Sequence, residues 1–464
     1  MGSDERYDLV VLGSGPGGYV AAIRASQLGM KTAVVEADKV GGVCLNVGCI
    51  PSKSLIYQAG IYQHVGALKE MGLKIDLSGF DYGSVQKKSR KAAEKLSKGV
   101  QFLLKKNNVD LIEGYGRLEG PNEVRLEAGD RLSAAHIILA TGSRTAEIPG
   151  FSIDEKLVLS STGALMLQEL PKSLLILGAG AIGVEFAYIM NAFGVEVHLV
   201  EMMDQILPLE DSEVVDVVAR IFKKRGVRIL TGTKALSWEK KGKAARVVLE
   251  DKSKKKTELD AEKILLAVGR VPNTEDIGLD RVGLETERGF IPVGDYYETA
   301  VKSICAIGDV VATPLLAHVA SKEGEIAVEH MAGLHPVPRI DPLSIPGAVY
   351  TEPQLASFGY TEARAREKKI DFKATTFPYR GAGKSVAIEQ PDGMVKILTD
   401  SSSGEILGAH VVGSEATELI HELLLARSSE LLAEDVAGMI HAHPTLSEAV
   451  MEGMRSVLGQ AIHV

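Results

Sequence analysis

Cys44 and Cys49, five positions apart in the segment VGGVCLNVGCIPSKSL, are the pair in this chain best suited to redox chemistry. Asn46 and Gly48 between them permit a curled backbone, which can bring two Cα atoms within the roughly 7 Å that a disulfide requires. Pro51 suits the first turn of a helix beginning just there, and the dipole of such a helix would lower the pKa of a nearby thiol. A metal site is the weaker reading, because the segment holds no further Cys or His. Cys305 stands alone in the apolar run SICAIGD and reads as a buried structural thiol.

A second chemistry is written twice. Tyr7 to Gly13 (YDLVVLG) is a β-branched run ending in GSGPGG, and Leu174 to Gly178 (LLILG) opens GAGAIG. Each is followed by a helical stretch and a strand ending in an acid, Glu36 or Glu201, in both cases 23 positions beyond the first glycine. In each turn the first glycine (Gly13, Gly178) allows a tight strand-to-helix bend and the second (Gly15, Gly180) lets backbone approach a pyrophosphate. The third (Gly18, Gly183) permits close packing, and the helix N-terminus stabilises phosphate charge. Two dinucleotide sites are implied. A carboxylate at Glu201 accepts ribose hydroxyls and repels a 2′-phosphate, and the following MMDQILP offers no Arg or Lys, so the second site prefers NAD to NADP.

These turns need parallel sheets to carry them. Each copy closes with a similar strand, AAHIILATGSR at Ala134 to Arg144 and AEKILLAVGRVPN at Ala261 to Asn273, so the second copy is inserted within the first. Gln86 to Lys106 has apolar residues near helical spacing (Ala92, Leu96, Val100, Leu103, Leu104) and reads as an amphipathic helix with a solvated lysine face. Four prolines between Pro336 and Pro346 mark a domain edge. Beyond it, Tyr379 to Thr399 and Glu405 to Val412 read as strands, and Glu415 to Glu430 and Leu446 to Gly459 as helices, with no further glycine fingerprint. The expected fold is α/β: two Rossmann-like dinucleotide-binding domains, one inserted in the other, and a C-terminal α+β domain. The boundaries fall at 1–146, 147–271, 272–341 and 342–464.

The 464 residues exceed one ordinary core. A net charge of -9 and the lack of any twenty-residue apolar run argue against nucleic acid and membrane as partners. Arg6 stands where an acylated Met-Gly start would carry Ser or Thr, and no leader pattern follows, so the expected location is cytoplasmic.

With these residues in view, the chain resembles the pyridine nucleotide disulfide oxidoreductases almost end to end, and within them the branch acting on dihydrolipoyl groups. GGVCLNVGCIPSK, YDLVVLGSGPGGYVAA, LILGAGAIGVE, AVGRVPN, AIGDV, LLAHVASKEG, YTEPQLASFG and HAHPTLSE occur in family order. The resemblance implies a redox-active disulfide with Cys49 beside the flavin and Cys44 as the outer thiol. Gly13, Gly15, Gly18 and Glu36 would then hold the ADP half of FAD, near Gly116 of the GYGRLEG turn and Gly142. Asp309 would bind the ribityl chain and Ala317 would present its N–H to the flavin ring. Gly178, Gly180, Ile182, Gly183 and Glu201 would hold NAD, with the Ala267 to Arg270 turn (including Gly269) over it and Ala235 near the adenine.

Lys53 and Glu185 would pair near the flavin, where a fixed positive charge stabilises the reduced, anionic cofactor. A dithiol must lose a proton before it can attack a disulfide, and His443 of HAHPTLSE would take it, with Glu448 fixing the tautomer and His441 the lesser candidate. No metal is implied. The family's C-terminal domain forms a homodimer, and its substrate is a lipoyl domain served with the acyltransferase core of a 2-oxo acid dehydrogenase complex, or the lipoyl carrier of the glycine cleavage system. Glutathione and trypanothione reductases want a basic NADP site, which is missing here, and mercuric reductases usually end in an extra Cys pair, which SVLGQAIHV lacks. A flavoprotein binding both nucleotides without turnover would not need these six catalytic candidates.

Overall fold

A computed structural model describes residues 6–464. They form two compact units, one built from the segments up to Leu55, Asp81–Ala146 and Gly269–Ile340, the other from Ile56–Phe80, Glu147–Val268 and Asp341–Val464.

In the first unit the parallel strands run in the order Asp110–Glu113, Thr32–Glu36, Arg6–Leu12, Arg131–Leu139, Ile304–Ala306. Their near-continuous apolar composition fits a sheet covered on both faces. The antiparallel strands Gly116–Gly120 and Glu123–Leu126 extend the early part of Arg131–Leu139. Helix Pro16–Gln27 packs against helix Ala317–Met331 through small residues: a Cβ on Gly17 would stand 3.0 Å from the Ala320 carbonyl, and one on Gly324 would stand 2.8 Å from the Gly17 carbonyl. That contact explains why the first glycine turn carries Gly17 where the second carries Ile182.

The second unit repeats the pattern. Arg228–Leu230, Glu196–Val200, Ser173–Leu177 and Lys263–Leu266 form a parallel sheet in the same order as the first four strands of the other unit, with Val158–Leu159, which precedes them in the chain, as its fifth strand. Thr233–Lys241, Ala244–Asp251 and Lys256–Ala261 form an antiparallel sheet just before Lys263–Leu266. In sequence this copy lies between Leu139 and Ile304, as an insertion requires. The C-terminal part of the unit is an antiparallel sheet, Gly347–Val349, Gln354–Gly359, Ile406–Gly413, Met394–Asp400, Phe372–Pro378, covered by helices Ala416–Ser428 and Glu448–Val457. The α/β class with a C-terminal α+β domain is therefore as expected.

Two local expectations fail. Tyr379 to Thr399 is not one strand: Tyr379–Gly381 is a 3-10 turn, Gly383–Ala387 a short helix, and the strand begins at Met394. Pro378 has no N–H for a ladder, and Ser385 Oγ donates to the Ala382 carbonyl at 2.8 Å, closing the local turn instead. The amphipathic helix starts earlier, at Tyr82, capped by Asp81, and buries Ser89, Ala93, Ser97, Val100 and Leu104 while Leu96 and Leu103 are exposed. Ser97 can be buried because its hydroxyl donates to the Val40 carbonyl at 2.7 Å. No helix among the described residues is long and apolar enough to cross a membrane.

Candidate active site

Cys44 lies on the short helix Gly42–Val47 and Cys49 is the first residue of helix Cys49–Glu70. They form a disulfide with Cα atoms 4.7 Å apart. Gly48 makes the close join possible, since a Cβ there would stand 2.9 Å from the Val43 carbonyl. Asn46 is buried and its amide donates to the Val40 and Gly42 carbonyls at 3.0 and 2.9 Å, which locks the short helix. Gly42 has φ +59 and approaches the first glycine turn so closely that a Cβ would stand 2.8 Å from Gly15 Cα. The disulfide is thereby fixed beside a dinucleotide turn, with Cys49 at a helix N-terminus that favours its thiolate. Lys53 follows one turn along the same helix.

The two glycine turns have matching geometry. Gly13 has φ +100 and Gly178 φ +97, and a Cβ on either would overlap a backbone carbonyl, of Ala140 or Ala267 respectively. Gly18 and Gly183 touch the carbonyls of Gly13 and Gly178, so neither tolerates a side chain. Around Gly15 and Gly180 nothing lies within 4 Å of an added Cβ, and this open space at a helix N-terminus fits a pyrophosphate. Glu36 accepts from the Ser14 N–H at 2.9 Å and the Asp38 N–H at 2.9 Å; Glu201 accepts from the Ala179 N–H at 2.8 Å and the Met203 N–H at 2.9 Å. Ser14 adds its hydroxyl to Glu36 at 2.5 Å, which Ala179 cannot do. Lys252, remote in sequence, comes next to the second site but is paired with Asp204.

Among the other predicted cofactor residues, Asp309 sits in the turn Gly308–Val310 and accepts from the Ser143 hydroxyl. Arg270 Nε donates to the same hydroxyl at 2.7 Å and lies 3.7 Å from Asp309, so these three form one half-buried polar group around the buried Ser143, with Gly142 (φ +73) beside it in sequence. Gly269 has φ +122 and its carbonyl accepts from the Ala146 N–H at 3.0 Å. Ala317 begins helix Ala317–Met331, and Ala235 lies at a bulge in strand Thr233–Lys241. Gly116 is not in a turn: it opens a strand, packed against Leu12, Val35 and Val124, and the bend is at Gly114 (φ +136).

Two residues escaped the sequence reading. Ser143 joins Asp309 to Arg270. Glu323, fully buried, accepts from the Gly308 N–H at 2.6 Å and so holds the turn carrying Asp309. Burial pushes the Glu323 carboxyl up to about 7 against the pull of the Gly308 N–H. Its place in AHVASKEG, two turns into a helix, looks like a surface position.

In the other unit, Glu185 is buried on helix Ala181–Ala192, which also carries Ile182 and accepts from the Tyr350 N–H at 3.1 Å through Glu185. His443 Nδ1 stands 2.9 Å from Glu448 Oε1, and the Thr445 N–H donates to Glu448 Oε2 at 2.8 Å. Burial raises the Glu448 carboxyl, yet the Thr445 N–H and His443 more than offset it and hold it below the usual range. His441 is buried against Glu422, Nε2 to Oε1 2.8 Å. Cys305 is buried without a disulfide, and burial with Glu298 nearby pushes its thiol up to about 12, as an inert thiol requires. Among the described residues no group of three or more His, Cys, Asp or Glu could hold a metal ion.

A disulfide at a helix N-terminus beside one of two dinucleotide turns is the signature of electron transfer between a dithiol and nucleotide cofactors. The pyridine nucleotide-disulphide oxidoreductase family matches residues 7–324, and its dimerisation domain matches residues 345–454. The chain belongs to this family. It is 43% identical to the dihydrolipoyl dehydrogenase of Zymomonas mobilis and 40% identical to that of Rhizobium etli, in each case over 99% of both chains. The solved structure of LpdA from Mycobacterium tuberculosis matches with a TM-score of 0.89 at 26% identity, covering 98% of this chain and 100% of that one. The protein is thus an FAD- and NAD-dependent disulfide oxidoreductase with a dimerisation domain.

Proposed function

We propose that this enzyme oxidises protein-bound dihydrolipoyl groups to the cyclic disulfide and reduces NAD, as the dihydrolipoyl dehydrogenase of a 2-oxo acid dehydrogenase complex or of the glycine cleavage system. The observation that carries the reading is the Cys44–Cys49 disulfide at a helix N-terminus in a chain that also holds the His443–Glu448 pair. His443, its Nδ1 turned to Glu448, accepts the proton of one substrate thiol at Nε2. The thiolate attacks Cys44 Sγ and Cys49 leaves as a thiolate. The second substrate thiol then closes the lipoyl disulfide and releases Cys44, so two thiols of the enzyme replace two of the substrate.

FAD, when bound, supplies the two-electron carrier between that dithiol and NAD. In this reading Gly13, Gly15, Gly18, Glu36, Gly116, Gly142, Asp309 and Ala317 hold FAD, and Lys53 with Glu185 sets a fixed positive charge beside it. Gly178, Gly180, Ile182, Gly183, Glu201, Ala235 and the Ala267–Arg270 turn hold NAD. Segments 1–146 and 272–341 serve FAD, 147–271 serves NAD, and 342–464 forms the homodimer, in which His443 and Glu448 of each subunit serve the disulfide of the other. The proposed partners are lipoyl domains and the acyltransferase core, or the glycine cleavage carrier, in the cytoplasm.

The test is NAD reduction with free dihydrolipoamide and with lipoylated carrier domains. Turnover with both supports the reading; NADH formation from another dithiol in preference to either would replace it.

A further inference from the structure

The loop leaving Glu201 closes back on the glycine turn it serves. The Met203 N–H donates to Glu201, and the Leu207 N–H donates to the Ala179 carbonyl at 2.7 Å, so the loop grips the middle of GAGAIG. Leu207 is buried with φ +47, in the left-handed region that a leucine rarely adopts. Such backbone persists only where its surroundings over-determine it.

The restraint comes from the C-terminal domain of the same unit. Ser357 Oγ donates to Glu210 Oε2 at 2.6 Å, Lys396 Nζ to Asp211 Oδ1 at 2.8 Å, and the Glu362 N–H to Asp211 Oδ2 at 3.1 Å. Asp211 also caps helix Ser212–Lys224. Lys396, only 1% exposed, pairs in addition with Glu213 at 2.8 Å and Glu362 at 2.7 Å. Burial alone would push its ammonium pKa down, but the three carboxylates more than offset this and raise it. A buried ion cluster is a poor device for raw stability, since apolar residues of similar volume often serve as well; its best-attested use is to fix register.

We propose that Lys396 is a positioning residue for the NAD site: through Asp211 and the strained Leu207 it sets the glycine turn at Ala179 from outside the nucleotide domain. The inference rests on the assignment of NAD to the Glu201 site.

The experiment uses the FAD-loaded dimer and reads amide hydrogen exchange at Ala179 and Leu207 together with NAD affinity by direct titration. In Lys396→Met, both amides should exchange about tenfold faster and NAD should bind about five- to tenfold more weakly, a coupling typical of groups in one network. Exchange at Ser14, in the first glycine turn, should not change. Lys396→Arg should restore most of both effects. Ser357→Ala should move both readouts in the same direction by less, and Asp211→Asn, which loses the ion pair with Lys396 but can keep the helix cap, decides the matter if the methionine variant does not fold. Unchanged exchange at Leu207 in the folded variants overturns the proposal. So does faster exchange with unaltered NAD affinity when Glu201→Ala still weakens NAD. If Glu201→Ala also leaves NAD affinity unaltered, the site assignment itself has failed and the inference falls with it.

Discussion

His443 Nδ1 stands 2.9 Å from Glu448 Oε1, yet the histidine side chain is 75% exposed while the carboxylate beneath it is only 18% exposed. A histidine oriented from below and open above suits the proposed role of a base that meets a thiol arriving from elsewhere. His443→Gln should lower kcat about 10²- to 10⁴-fold with little change in melting temperature. Glu448→Gln should cost less, because it disturbs orientation and leaves the base in place. Steady-state kinetics with thermal melts would check both, and equal losses would mean that Glu448 does more than orient.

The shared site can be tested by subunit exchange between inactive Cys44→Ser and inactive His443→Gln proteins. If His443 acts across the dimer, one site of each hybrid collects both defects and the other neither, so activity returns. Inactive hybrids of verified mass would instead assign His443 to its own chain.

The two thiols should differ in reach. After reduction, Cys44 should alkylate first under limiting iodoacetamide, as read by peptide mass spectrometry, if it is the thiol that exchanges with substrate, as proposed. Preferential labelling of Cys49 would reverse the assignment of outer and inner thiol.

Nucleotide preference should follow Glu201. Wild-type enzyme should favour NAD strongly, and Glu201→Ala with an added arginine nearby should narrow the gap. Lys252 does not spoil this expectation, because Asp204 neutralises it. Equal use of NADPH by the wild type would contradict it.

Glu323 gives a pH dependence with a definite sign. Its folded carboxyl is raised to about 7 by burial, so it keeps its proton in the fold at pH values where the unfolded chain has lost it. The stability associated with that proton is complete below the ordinary carboxylate range and is lost as pH rises toward 7. Glu323→Gln should therefore stabilise the protein at pH 8, by on the order of 3 kcal/mol at most, and make no difference at pH 4. Thermal melts across that range would show a constant offset if the carboxyl is not raised.

How much of this was legible in the sequence depends on how local its physics is. Gly13, Gly178 and their partners obey backbone rules that operate within a few residues, so both turns, both glutamates and the curl between Cys44 and Cys49 can be read directly. The face of helix Tyr82–Lys106 cannot, because Ser97 is buried by a carbonyl at Val40 that periodicity does not see. Lys396 and Asp211 lie far apart in the chain, and Lys396 in MVKILTD looks like the exposed position of a strand. Glu323 likewise becomes visible only once helix Ala317–Met331 is packed on the Asp309 turn.

The central claim is that electrons enter through the Cys44–Cys49 disulfide, and an anaerobic titration tests it most directly. One equivalent of dihydrolipoamide per site, added without NAD, should convert the disulfide to two alkylatable thiols assigned to Cys44 and Cys49. Adding NAD should then yield one NADH per site and return both thiols to the disulfide. NADH formed from dihydrolipoamide by a Cys44→Ser, Cys49→Ser double variant at the wild-type rate would contradict the account.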